Sequence, residues 1–149
     1  MLSDIKSLIL DMDGVLWRDD TPIGDLPKIF QRIRERGWKF VFATNNGTRT
    51  PAQYVEKLSA FGVTAEPWQV ITSALGAAEM LKREIPNGAR VFVIGGEGVK
   101  IALREQGFDV LTVETAERAQ AFVMGVDREI SFEKMSEAAL LVRRGIPFY

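Results

Sequence analysis

The chain has 149 residues, 46% of them hydrophobic and 26% charged, a balance that fits a folded protein of one or two small domains and excludes disordered, collagenous and coiled-coil classes. Its 19 Lys and Arg against 20 Asp and Glu leave a formal net charge of -1, which makes no strong electrostatic case for nucleic acid or an anionic membrane. With 0 Cys and 0 His, disulfides, thiol nucleophiles, His-dependent triads and the usual zinc ligands are excluded, so a bound metal would be a hard cation held by oxygen, magnesium being the natural candidate.

The N-terminal stretch MLSDIKSLIL sets acid and base where a signal peptide needs a long apolar run, and no later stretch reaches membrane-spanning length. The expected address is the cytoplasm. Ser7 to Leu10 is a short apolar run that stops at DMDG, a buried strand ending in a sharp turn. Leu26, Ile29, Phe30 and Ile33 then recur at helical spacing from about Asp25 to Arg36, with Gly37 as the stop. WKFVFAT is the second strand and ends in TNNGTRT. Thr50, Pro51 and Gln53 fit an N-cap, a first-turn proline and a capping-box partner, predicting a helix from Pro51 to about Ala60 that closes at Gly62. A strand follows at Val70 to Thr72, then a helix from Ser73 to Glu84, which the Pro86-Asn87-Gly88 turn ends.

From RVFVIGGEG the rhythm restarts, which sets a boundary there and divides the chain into residues 1–87 and 88–149. The second part predicts a strand at Arg90 to Ile94, a helix from about Gly98 to Gln106, and strands at Asp109 to Val113 and Ala121 to Met124. A helix from Phe132 to Arg144, with Ser131 as N-cap, precedes IPFY, a strand just beginning. Strands that are apolar along their length and alternate with helices imply an α/β fold with a parallel sheet covered on both faces. Ligands of such folds bind beyond the carboxyl ends of the strands.

Two polar motifs sit at that end. The first is Asp11 and Asp13 in DMDG. A lone D-x-D-G is weak, because Asp in a turn often only bonds its own backbone. Two carboxylates about 4 Å apart nevertheless repel by roughly 4 kcal/mol at an effective dielectric near 20, so a turn that gathers them calls for a cation, a proton or diverging side chains. An ionised aspartate can also attack phosphorus while a neighbouring carboxyl protonates the leaving oxygen. The second motif is Thr44, Asn45 and Asn46. These could merely start the next helix, but Thr50 already fits its cap, leaving Thr44 and Asn45 to offer a hydroxyl and backbone N–H groups to an anion.

DMDGVLW and TNNGTRTP after the first two strands, continued by ITSALGAAEML, VFVIGGEGVKIALREQGF and AFVMGVDREISFEKMSEAALLVRRGIPF, resemble the haloacid dehalogenase (HAD) superfamily of phosphatases, in particular its NagD-like, p-nitrophenyl phosphatase type with a class II cap. The resemblance implies the first half of a Rossmann-like three-layer core over 1–87 and the start of an α/β cap over 88–149. It implies magnesium-dependent hydrolysis of small phosphate monoesters through an aspartyl-phosphate, with Asp11 as nucleophile and Asp13 as general acid/base. Thr44, Asn45 and Asn46 would bind the substrate phosphate, and Asp11 with the main-chain carbonyl of Asp13 would bind the metal. The family's later phosphate-binding lysine and acidic G-D-x-x-x-T-D stretch are not in this chain, which ends at Tyr149 inside what resembles a cap strand. That implies a C-terminally truncated chain, slowed or inactive as it stands, whose first strand lacks its family neighbours and drives self-association or a homodimer.

Two alternatives remain at this level: a non-catalytic fragment or interaction module, and a nucleotide-cofactor binder. The second rests on Gly96 and Gly98, which follow a strand and precede Glu114, although Ile101 stands where a third glycine would. Trp17, Trp38 and Trp68 lack the basic groove of a nucleic-acid platform, and Trp38 and Trp68 read as packing residues. Glu97, Asp127 and Glu129 read as surface or turn charges.

Overall fold

The computed structural model describes residues 5–149. Met1 to Asp4, which carry part of the argument against a leader peptide, lie outside the described residues. The chain forms two compact units: Met1–Asn45 with Pro51–Thr72, and Asn46–Thr50 with Ser73–Tyr149.

In the first unit, β1 (Ser7–Asp11), β4 (Lys39–Thr44) and β5 (Val70–Thr72) form a parallel sheet in the order β1-β4-β5. Alternation along β4 sends Phe40, Phe42 and Thr44 inward, where they join Leu26, Phe30 and Ile33 of α1 (Leu26–Glu35) and Tyr54 and Leu58 of α2 (Pro51–Ala60). Phe30, Phe40 and Phe42 form a triangle of tilted and edge-on rings with centroids 5.1 to 5.6 Å apart, the preferred aromatic geometry. Asp25 caps α1 by accepting the Lys28 N–H, and Pro27 sits in its first turn, where no N–H is needed.

Coverage on both faces, expected from the apolar strands, holds on only one face of this sheet among the described residues. Ile9 is 77% exposed and Ile71 49%, and β1 is an edge strand whose one neighbour is β4. A short hairpin of β2 (Trp17–Arg18) and β3 (Thr21–Pro22) follows β1, turning at Asp19, whose φ of 52° is left-handed.

The second unit holds a parallel sheet of β6 (Arg90–Ile94), β7 (Asp109–Leu111) and β8 (Ala121–Met124), ordered β7-β6-β8. Here both faces are covered. Val91 and Val93 of β6 pack with Ala74, Ala78 and Leu81 of α3 (Ser73–Glu84) and with Val99, Ala102 and Leu103 of α4 (Glu97–Glu105). The alternate residues Phe92 and Ile94 pack with Ala138 and Leu141 of α5 (Phe132–Arg143). The buried stripe of α3 packs with the second core, so Ser73–Glu84 groups with the second unit. Ser131 caps α5, accepting the Lys134 N–H. Phe148 forms a parallel bridge with Phe122 and stacks on its ring at 5.0 Å, where a strand was expected to begin. The strand predicted over Asp109 to Val113 stops at Leu111, and Val113–Arg118 is a 3-10 helix that buries Ala116.

No helix among the described residues is long and apolar enough to cross a membrane.

Candidate active site

The DMDGVLW segment is a loop folded tightly on itself. Met12 is fully buried, and its carbonyl accepts N–H bonds from Val15, Leu16 and Trp17 at 3.2, 2.8 and 3.4 Å. Gly14 takes a φ of 85°, open to glycine at little cost, and its N–H donates to the Trp17 carbonyl at 2.7 Å. Asp11 and Asp13 thus flank a side chain sunk in the core, and both acidic residues remain exposed.

Parallel register puts Asp11 beside Ala43, one residue before Thr44, and Thr44 beside Thr72. Thr44 and Thr72 are the buried polar residues of this region. The Thr44 hydroxyl donates to Asp13 Oδ2 at 3.2 Å. The Trp17 indole N–H donates to Asp13 Oδ1 at 2.9 Å. The structure therefore joins Asp13 to Thr44 through a direct hydrogen bond and sets Asp11 at the end of the adjacent strand. Asn45 is exposed, and Asn46 Oδ1 accepts from the Thr48 N–H and hydroxyl at 3.2 and 2.7 Å, a local turn that belongs to the second unit.

Trp17 is the residue that the sequence did not single out for the site. Its signal was present within the motif, four residues after Asp13, but only a folded loop shows the bond. Trp68, expected to pack, is 73% exposed, and Trp38 is half-buried with the Arg36 guanidinium 5.1 Å from its ring centroid.

The glycines of the second unit have a different use. The Gly98 N–H donates to the Thr48 carbonyl at 3.2 Å, and a β-carbon on Gly98 would meet the carbonyl oxygens of Gly47 and, at 2.6 Å, Arg49. The chain's own 47–49 segment fills the approach that a pyrophosphate would need at the start of α4, which removes the structural basis of the cofactor-binding alternative. Asp127, expected on the surface, has a side chain only 6% exposed and pairs with Lys134 at 2.9 Å.

The sequence matches the haloacid dehalogenase-like hydrolase family over residues 8–109. The chain belongs to that family. The chain is 33% identical over 147 residues to the acid sugar phosphatase of Staphylococcus aureus, covering 99% of the chain and 55% of that protein. Among solved structures it resembles the p-nitrophenyl phosphatase of Archaeoglobus fulgidus, with a TM-score of 0.85 and 32% identity over 97% of this chain and 54% of that one. The Mycobacterium tuberculosis glycerol phosphate phosphatase, solved with magnesium, superposes with a TM-score of 0.87 and 28% identity over 97% of this chain and 43% of that one. The chain spans about half the length of the curated relatives it matches. Its parallel α/β architecture is that of these neighbours.

Among the described residues no group of three or more Asp, Glu, His or Cys side chains gathers to hold a metal. The oxygen donors present, the Asp11 carboxylate and the Asp13 main chain, suit a hard cation in kind without completing an octahedral shell.

Proposed function

We propose that the protein hydrolyses a small phosphorylated metabolite, a phosphate monoester of sugar, glycerol or nucleotide type, through a covalent phospho-Asp11 intermediate. The observation that supports this reading is the placement of Asp11 at the end of β1 beside the Asp13–Thr44 hydrogen bond at the end of β4. The names of the acid sugar phosphatase, p-nitrophenyl phosphatase and glycerol phosphate phosphatase relatives point to the same substrate class.

In the first step an Asp11 carboxylate oxygen forms a bond to phosphorus, the bond from phosphorus to the ester oxygen breaks, and Asp13 gives that oxygen its proton. In the second, Asp13 takes a proton from water, whose oxygen attacks phosphorus and frees Asp11 and inorganic phosphate. Thr44, Asn45 and Asn46 are the proposed contacts to the phosphoryl oxygens. Magnesium, held by the Asp11 carboxylate and the Asp13 carbonyl, would offset the negative charge of phosphate and carboxylate when bound.

The test is magnesium-dependent phosphate release from p-nitrophenyl phosphate by wild type and Asp11→Asn in parallel. Turnover by wild type that is abolished in Asp11→Asn is expected. An unchanged rate in the variant overturns the assignment of Asp11.

A further inference from the structure

The two carboxylate oxygens of Asp13 are held by groups of unlike capability. Trp17 Nε1 lies 2.9 Å from Oδ1, and Thr44 Oγ1 lies 3.2 Å from Oδ2. An indole N–H donates and never accepts, whereas a hydroxyl does both. We propose that Trp17 is a positioning residue for the catalytic acid: by donating to Oδ1 it fixes the direction in which that carboxyl faces. This rests on the reading of Asp13 as general acid/base.

The indole is built to hold that position. Trp17 is fully buried, its ring stacked on Tyr54 at 6.4 Å and 18° and tilted against Phe61 at 5.8 Å. The Lys57 ammonium sits 4.9 Å from the ring centroid and is itself tied to the Asp19 carbonyl at 2.6 Å and to Asp20 Oδ1 at 3.1 Å. A cation over the π face draws electron density from the ring and makes the N–H a better donor. The Asp13–Trp17 bridge and the Gly14–Trp17 backbone bond close the loop around this contact, so neither partner can swing away alone. Packing by itself would be served by a phenylalanine. The polar edge of the ring, spent on one carboxylate oxygen, is what packing does not require.

The first test needs no turnover. The three indole N–H resonances of the chain are assigned by single Trp→Phe substitutions, and Asp13, being exposed, is changed to Ala without disturbing the core. The Trp17 resonance is expected to move upfield in Asp13→Ala while those of Trp38 and Trp68 stay in place; an unmoved Trp17 resonance overturns the proposal.

The second test separates positioning from structure by leaving group. Nitrophenolate leaves readily without a proton, whereas the alkoxide of glycerol phosphate needs one. Trp17→Phe should lower kcat on glycerol phosphate by about 10- to 100-fold, a fraction of what a general acid supplies, and lower it far less on p-nitrophenyl phosphate, with KM unmoved on both. Asp13→Asn should show the same split, larger. No split in Asp13→Asn means that the acid/base reading itself fails. A split there, with Trp17→Phe equal on the two esters, means that Trp17 only packs.

Discussion

Lys134 reaches across seven residues to place its ammonium 2.9 Å from Asp127 Oδ2, on a carboxylate that has almost left solvent. Burial pushes the Asp127 pKa up. The Lys134 hydrogen bond, the Glu129 N–H at 2.8 Å and the charges of Lys134 and Lys100 outweigh it, and the value ends below the ordinary 3.8. A folded-state pKa lowered in this way contributes stability in full above the unfolded value, and that contribution drains away as pH falls through the folded one. Thermal unfolding should therefore show an acid limb below about pH 4. Asp127→Asn should flatten that limb and lower stability at neutral pH by about 1.5 to 3 kcal/mol, as expected for a hydrogen bond to a charged partner. Equal acid limbs in both proteins would show that the pair does not govern acid stability.

Gly98 and Gly76 are both helical glycines, and the structure predicts opposite signs for the same substitution. A β-carbon on Gly98 would meet the backbone of Gly47 and Arg49, which cannot rotate aside, so Gly98→Ala should cost about 1 to 3 kcal/mol. Gly76 lies in α3 with nothing within 4 Å of the added carbon, and Gly76→Ala should stabilise by about 0.5 to 1 kcal/mol through the backbone entropy that alanine saves. Urea midpoints with a common slope measure both. If the two variants shift the same way, the close approach at Gly98 is not what keeps that position glycine.

The parts of this molecule legible in its sequence are those that local chemistry determines. Pro51 and Gly62 bracket α2 at Pro51–Ala60 as expected, Ser131 caps α5, and the two polar motifs stand at the ends of neighbouring parallel strands. What escaped depends on contacts made elsewhere. The β2–β3 hairpin has two residues a side, too few for any periodicity, and turns at a left-handed Asp19. Asp127 lies in a loop and reads as a surface charge until Lys134 is folded over it. Trp17 reads as one more apolar residue until the DMDG loop curls far enough for its indole edge to meet Asp13, and α3 joins the second core because its alanine stripe meets β6 and α4.

Strand β1 leaves one edge and one face without a partner among the described residues. Leu8, Ile9, Trp38, Phe40, Val41 and Trp68 line a groove of about 500 Å³ there, with Ile9 77% and Trp68 73% exposed. An open strand edge offers N–H and C=O groups to a second strand, and an apolar face beside it adds the driving force for that pairing. Analytical ultracentrifugation should show association that rises with protein concentration, with Trp68 fluorescence moving to the blue as its ring leaves water. Ile9→Glu should weaken association by about 10- to 100-fold, the equivalent of losing one buried Ile side chain, and leave the fold intact because the side chain is already in solvent. A wild type that stays monomeric across the accessible concentration range, with Ser7 to Leu10 protected from hydrogen exchange, would mean that this edge is stable without a partner. Equal association by Ile9→Glu and wild type would mean that the contact lies on another surface.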